Sequence, residues 1–184
     1  MSRANSRLVG VLVVALLASA RPGAAQVQQA TPLAVRLPAY DHPVLLDTME
    51  TQRRHEDVMR EAVFVAARKV FEELQIPITF ADSTRGILVN SQLIATRRLG
   101  KYRMGQIIDC GTNLNGDVAD QYRIRMAVGV IIDSLAPSQS EYRVLIAAAG
   151  QSLEGASRPP LACASTGFLE QRIAKLIGVK IWGS

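Results

Sequence analysis

Two segments of the chain repeat apolar residues at three- and four-residue steps, and each repeat predicts a helix. The first runs from about Gln52 to Leu74 and is followed by Pro77, which cannot continue a helix. The second follows Ser165-Thr166-Gly167, where a hydroxyl side chain can cap the first turn, and is expected to end near Gly178. In both segments the apolar residues form a stripe on one side, so each helix should pack that face against a core.

Between these helices the apolar period falls to two, which indicates strands. We predict strands at 78–80, 87–96, 103–109, 122–132 and 142–148. The segment 122–132 alternates most regularly, and 142–148 repeats its pattern after a turn, so these two should pair antiparallel. The element order predicts a single α+β domain, in which an antiparallel sheet of about five strands carries the N-terminal and C-terminal helices on one face.

The first 25 residues have the pattern of a secretory signal peptide. Arg3 and Arg7 precede an apolar run that ends in small residues near Ala25. The run is too short to cross a bilayer comfortably, since spanning takes roughly 20 apolar residues, and the sequence leaves open whether the segment is cleaved or retained as an anchor. We therefore expect a signal peptide at 1–25, a flexible leader rich in Gln, Pro and Ala at 26–43, and the folded domain at 44–184, without a membrane span after cleavage. The expected location is the periplasm or the extracellular space.

Export changes the charge balance of the chain. The whole sequence has 21 basic and 16 acidic residues, for a net charge of +5. The signal segment contains Arg3, Arg7 and Arg21 and no acid, so the mature chain keeps 18 basic residues and a net charge of about +2. Nucleic-acid binding requires many cations on one face, so we expect no nucleic-acid partner. Composition leaves the oligomeric state open.

Cys110 and Cys163 are the two cysteines of the chain. In an oxidising compartment we expect them to form a disulfide, although two buried free thiols would also fit the sequence. They lack a CxxC spacing, and His42 and His55 are the two histidines, so neither a metal site nor a cofactor is predicted. No nucleophile elbow of the GxSxG type is present, and we expect no enzymatic activity.

Two groups of basic residues are candidates for contact with an anion or a partner. One group lies between two predicted strands and comprises Arg97, Arg98, Lys101 and Arg103. The other group is expected on the sheet face opposite the core and comprises Arg123, Arg125 and Arg143. Arginine suits planar anions such as carboxylates. The alternative is structural: a solvated hairpin tip in the first case and ion pairs with nearby acids in the second.

The joint between the first helix and the first strand carries a resemblance. The helix ends in Phe71-Glu72-Glu73-Leu74-Gln75-Ile76-Pro77, and the strand and turn Ile78-Thr79-Phe80-Ala81-Asp82 follow. With the order of elements over about 52–180, this resembles the helix-grip domains of BamC-type (NlpB) envelope lipoproteins, which accompany the outer-membrane β-barrel assembly machine. The lipidated cysteine of that family has no counterpart here, so the resemblance implies a fold and an envelope setting without the lipid anchor.

Together these features predict an exported, noncatalytic domain of the envelope or the secreted fraction that binds a protein partner. Two alternatives stay open at this point. A carrier would grip a small apolar or anionic ligand between helices and sheet, and should contain a lined cavity. A periplasmic hydrolase would require convergent polar groups in a cleft.

Overall fold

The computed structural model describes residues 33–37, 43–46, 53–153 and 159–183. The predicted signal peptide at 1–25 lies outside the described residues. The strands and helices within the described part have the following bounds: β1 Leu33–Val35, β2 Val44–Leu46, β3 Arg53–Glu56, α1 Arg60–Glu73, β4 Phe80–Asp82, β5 Ile87–Thr96, β6 Arg98–Leu99, β7 Tyr102–Arg103, α2 Met104–Ile107, β8 Ile108–Asp109, β9 Thr112–Asn113, β10 Gly116–Asp117, β11 Tyr122–Ala136, β12 Gln139–Ser152, β13 Leu161–Ser165 and α3 Phe168–Trp182.

An antiparallel sheet of nine strands forms the centre of the described fold. Its order is β7-β6-β5-β11-β12-β13-β8, with β3 beside β12 and β4 beside β5. The three long strands β5, β11 and β12 lie in the middle, and the other six have two to five residues each. The pair β11–β12 is in continuous register from Tyr122↔Ser152 to Ser134↔Ser140. The α+β prediction is therefore confirmed. The sheet has more strands than predicted, because the additional edge strands are too short to show an alternating pattern in the sequence.

Both long helices pack on one face of this sheet, which we call the packed face. On β11 the packed face carries alternate residues that are at most 1% exposed: Ile124, Met126, Val128, Val130 and Ile132. They form one core with the inner sides of α1 and α3. On β12, Tyr142 points to the same side and donates a hydrogen bond to the carbonyl oxygen of Ala174 in α3, at 3.1 Å. The burial of apolar surface on this face is the main source of the fold's stability.

The first predicted helix was too long at its start. The structure has Arg53–Glu56 as strand β3, and α1 begins only at Arg60. β3 pairs with the edge of β12, from Arg53↔Arg143 to Glu56↔Ser140. The edge of a long strand has backbone N–H and C=O groups without partners, and β3 forms hydrogen bonds with them. This pairing outweighs the helical preference of the charged residues in β3.

The predicted strand 103–109 was also wrong. The structure has β7, a single turn of helix and β8 in its place. Met104 and Ile107 are both fully buried at a spacing of three, which places them on one side of α2. A short apolar run of this length does not distinguish strand from helix by its periodicity.

The start of the second helix agrees with the prediction, whereas its end does not. Ser165 Oγ accepts a hydrogen bond from the Gly167 amide, and Thr166 Oγ1 accepts one from the Phe168 amide. The helix continues past Gly178 to Trp182. Gly178 lies in the open, because a Cβ added there would meet no atom within 4 Å. A helix tolerates such a glycine at a moderate loss of stability.

The predicted disulfide between Cys110 and Cys163 is confirmed. It joins β13 to the segment that follows β8, across 53 residues of chain. Closing a loop of this length stabilises the fold by about 4 kcal/mol in the chain-entropy model. A structural disulfide is typical of proteins that reside in an oxidising compartment outside the cytoplasm. Within the ranges given above, the structure contains no helix with the length and apolarity needed to cross a membrane.

Candidate binding site on the open sheet face

The second face of the sheet, which we call the open face, is covered by neither α1 nor α3. On β11 it carries Arg123, Arg125, Ala127, Gly129 and Ile131, the residues that alternate with the core stripe. The prediction that Arg123 and Arg125 project together, away from the core, therefore agrees with the geometry. Small residues dominate the centre of this face, so another chain can approach the sheet closely.

Part of the predicted leader lies on the open face. Leu37, just after β1, is 3% exposed and packs against Ala127, Ala147 and Ala149. β1 itself pairs antiparallel with β2, in the register Leu33↔Leu46 to Val35↔Val44. The side chain of Leu37 thus covers small residues of β11 and β12. Among the described residues of the leader, Leu37 is the one whose side chain is shown against the sheet.

Beside this contact, Arg123, Arg125 and Ile94 form a group that we call the arginine patch. Ile94 on β5 is the register partner of Arg125, and it is 55% exposed. Within the described residues neither arginine side chain makes a hydrogen bond or an ion pair, and Arg125 Nε is buried without a partner. A buried guanidinium N–H without an acceptor is unfavourable by about 1–3 kcal/mol. The arginine patch therefore combines unpaired positive charge with exposed apolar surface.

Arg143 lies on the same face but does not join the arginine patch. It is the register partner of Ile131, six positions along β12 from Ala149, the partner of Arg125. Six residues of strand span roughly 20 Å. Arg143 instead donates to Asp133 Oδ2 at 3.2 Å. For Arg143, the structure therefore agrees with the alternative prediction, an ion pair with a nearby acid.

A separate ionic group lies at the edge of the open face, where β3 meets β12. Glu141 is largely buried, and its two carboxylate oxygens lie 3.5 Å from Arg53 and 3.4 Å from His55. Of the two histidines, His55 is the one in the part of the chain that the structure describes, and it lies on an exposed edge strand rather than in a cleft. This arrangement holds β3 against β12 and offers no pair of acid and base around a substrate-sized space.

The four basic residues predicted as one group, Arg97, Arg98, Lys101 and Arg103, lie at the β6–β7 hairpin and divide into two kinds. Arg103 pairs with Asp120, which also accepts a hydrogen bond from the Gly105 amide. Burial raises the pKa of Asp120, but these hydrogen bonds outweigh burial and lower it overall, and the Asp120 contact raises the pKa of Arg103. Arg98 donates to the carbonyl oxygen of Lys101 and closes the β6–β7 turn. These two arginines are structural.

Arg97 and Lys101 remain exposed on the same hairpin. Arg97 has a positive φ of 64°, an uncommon conformation for a residue other than glycine. Lys101 Nζ lies 5.4 Å from the centre of the Tyr102 ring. No described carboxylate forms an ion pair with either of them. The four hairpin residues therefore do not act as a single anion site.

Sequence reasoning missed Ile94 as a surface residue. The signal is present, because Leu93-Ile94-Ala95 breaks the strict alternation of β5. Leu93 and Ala95 are buried, so the middle residue of the apolar triplet must point outward. The bulge in β5 between the partners of Met126 and Val128 shifts the parity and hides this from a simple count.

Across the described ranges, no group of three or more His, Cys, Asp or Glu side chains is placed to hold a metal ion. No protein-family model matches the chain. A search of curated proteins finds no match either.

Proposed function

We propose that the protein is an exported, noncatalytic domain that binds a protein partner of the cell envelope through the arginine patch. The observation that carries this proposal is the adjacency of exposed Ile94 to two arginines that lack a carboxylate partner in the described part of the chain. Arg143, on the same face, by contrast pairs with Asp133 of its own chain. Arginine is enriched at binding hot spots, and the fully buried centre of an interface is more apolar than the rest of a protein surface.

The partner segment should be extended, with an acidic residue near an apolar one. A carboxylate would satisfy the guanidinium groups of Arg123 and Arg125, and an apolar side chain would cover Ile94. Leu37 supports this chemistry, because an apolar residue of an extended segment already packs beside the patch on Ala127 and Ala149. The resemblance to BamC-type domains favours a partner in the cell envelope, and the disulfide supports an exported setting.

The noncatalytic part of the proposal rests on how the titratable groups are used. His55 contacts Glu141 at a strand edge, and Asp120 is held by Arg103 and a backbone amide. Ser165 and Thr166 accept hydrogen bonds from amides at the start of α3. These contacts hold a strand edge, the hairpin and the start of α3, which favours structural roles for these groups.

Site-specific photocrosslinking in cells that make the protein tests the proposal. A photoreactive amino acid at position 94 should crosslink to one partner protein, and the same group at Val65, exposed on α1, should not. The double variant Arg123→Glu, Arg125→Glu should reduce crosslinking from position 94 at least about tenfold, because like charges would face the partner's acid. The matched control is Arg97→Glu, which changes an exposed arginine outside the patch.

Two outcomes would contradict the proposal. Equal crosslinking from positions 94 and 65 would mean that the contact is nonspecific. Crosslinking from position 94 that survives the double charge reversal would mean that the arginines do not contribute to binding.

A further inference from the structure

A cavity of about 320 Å³ lies away from the open face, between the end of α1, the β6–β7 hairpin and α3. Its volume is at the lower end of the roughly 300–1,000 Å³ typical of small-molecule sites. The apolar part of its lining comprises Leu74, Leu99, Tyr102 and Leu169. Leu169 is 1% exposed and forms part of the core, so the floor of the cavity is continuous with the packed interior.

Contacts within the protein hold the walls of the cavity in place. After α1, the Ile76 amide donates to the carbonyl oxygen of Phe71 at 2.8 Å, and Gln75 takes a positive φ of 57°. This is the geometry of a helix end closed by a left-handed residue. On the opposite wall, the Arg98 side chain donates to the carbonyl oxygen of Lys101, and the rings of Tyr102 and Phe168 pack in a T shape with their centroids 5.1 Å apart. The cavity is therefore formed before any ligand arrives, which reduces the entropy lost on binding.

Positive charge exceeds negative charge around this cavity. Lys101 and Arg172 line it together with one acid, Glu73. Glu73 is already occupied, because Lys180 Nζ lies 2.8 Å from its carboxylate. That hydrogen bond, with the charges of Arg172 and Lys101, lowers the pKa of Glu73. Among the described residues Lys101 and Arg172 have no ion pair, and Arg172 Nε is buried without a hydrogen-bond partner.

We infer that this cavity binds a small monocarboxylate with an apolar body, the class of medium-chain and aromatic acids. The carboxylate is held by Arg172 and Lys101 at the rim, and the hydrocarbon lies on Leu74, Leu99 and Tyr102. The guanidinium of Arg172 can donate two parallel hydrogen bonds to a carboxylate. The inference is independent of the proposed partner binding, since the cavity shares no residue with the arginine patch.

Titration of the purified, disulfide-bonded protein with sodium octanoate, followed by amide chemical shifts in NMR, tests this inference. Saturable shifts are expected at 73–75, 99–102 and 169–172. Lys101→Gln and Arg172→Gln should each weaken binding about tenfold, as expected for the loss of a charge-assisted hydrogen bond. Arg97→Gln, on the same hairpin but outside the lining, is the matched control and should leave the affinity unchanged. If Arg172→Gln fails to fold, Lys101→Gln alone decides, because Lys101 is exposed.

Three further probes separate the charge from the hydrocarbon. Octylammonium, 1-octanol and inorganic phosphate should each bind at least about tenfold more weakly than octanoate. Equal binding of octanol or octylammonium would overturn the role of the cations, and equal binding of phosphate would overturn the role of the apolar wall. Shifts at the arginine patch instead of the cavity, or no saturable shift up to millimolar octanoate, would overturn the site itself. Octanoate binding should also persist in the variant Arg123→Glu, Arg125→Glu.

Discussion

The two faces of the sheet are formed by the same strands, yet they are built for different neighbours. On the packed face, β11 presents a run of β-branched and long apolar residues to two helices, and these side chains are almost completely shielded from water. On the open face, the intervening positions of the same strand hold arginine, alanine and glycine. One strand of fifteen residues therefore supplies both a core and a surface that a chain segment can approach.

The difference between the faces indicates where stability and recognition reside. Substitutions on the packed face should change the free energy of unfolding, because cavities and clashes in a dense core are costly. Substitutions on the open face should leave stability nearly unchanged and act on binding. Residues of the same type on the two faces provide matched variants that test this separation.

The largest expected effect comes from truncating an isoleucine on each face. Ile124→Ala removes a fully buried side chain and should lower the free energy of unfolding by about 2–5 kcal/mol. Ile94→Ala, on the neighbouring strand but 55% exposed, should change it by less than about 1 kcal/mol. Urea denaturation followed by circular dichroism measures both. Equal losses in the two variants would mean that the open face is as tightly covered as the packed face.

The three long strands show how far the sequence predicts this fold. The predicted strand 87–96 coincides with β5, and Gly86 immediately before it takes the left-handed conformation that the turn requires. The antiparallel pairing of 122–132 with 142–148 is also confirmed, with both strands longer than predicted. Alternation over many positions is a strong signal, and it fixes which side chains share a face.

Alternation does not determine how far apart two residues of the same face lie along the paired strands. Arg123, Arg125 and Arg143 were expected to lie together, and they do share the open face, but Arg143 is displaced by six positions. Similarly, β3 forms because β12 has a free edge, which the charged residues Arg53–Glu56 do not encode locally. The cavity is formed by three segments far apart in sequence, so no local pattern predicts it.

A glycine on each face gives the second test. A Cβ at Gly150, on the packed face, would lie 3.2 Å from Cys163 Sγ and 3.2 Å from Tyr122 Cδ2, closer than ordinary contacts. Gly150→Ala should therefore destabilise the protein by about 1–3 kcal/mol through overpacking. At Gly129, on the open face, a Cβ would lie at an ordinary 3.4 Å from Val89 Cγ2. Gly129→Ala should be neutral or stabilising by up to about 1 kcal/mol. Thermal unfolding of the two variants checks the contrast, and the reverse order would refute it.

The smallest of these effects concerns the hydrogen bond that ties the packed face to α3. Tyr142→Phe removes the donor to the Ala174 carbonyl oxygen and should lower the free energy of unfolding by about 1 kcal/mol at pH 8. Tyr122→Phe, on the adjacent strand and without a hydrogen bond from its hydroxyl among the described contacts, is the control and should change stability less. Both are measured by urea denaturation.

The stability difference between the wild type and Tyr142→Phe should depend on pH. Burial away from water, and then the charge of Glu56, raise the pKa of Tyr142 to about 12. In the unfolded chain a tyrosine has a pKa of about 10, so the folded protein holds this proton more tightly. That contribution to stability is complete below pH 10 and is lost as the pH rises from about 10 to about 12. Tyr142→Phe lacks this loss, so the stability gap between wild type and variant should close within that window. A gap that stays constant to pH 12 would mean that water reaches the Tyr142 hydroxyl in the folded protein, and that the packed face is open at this point.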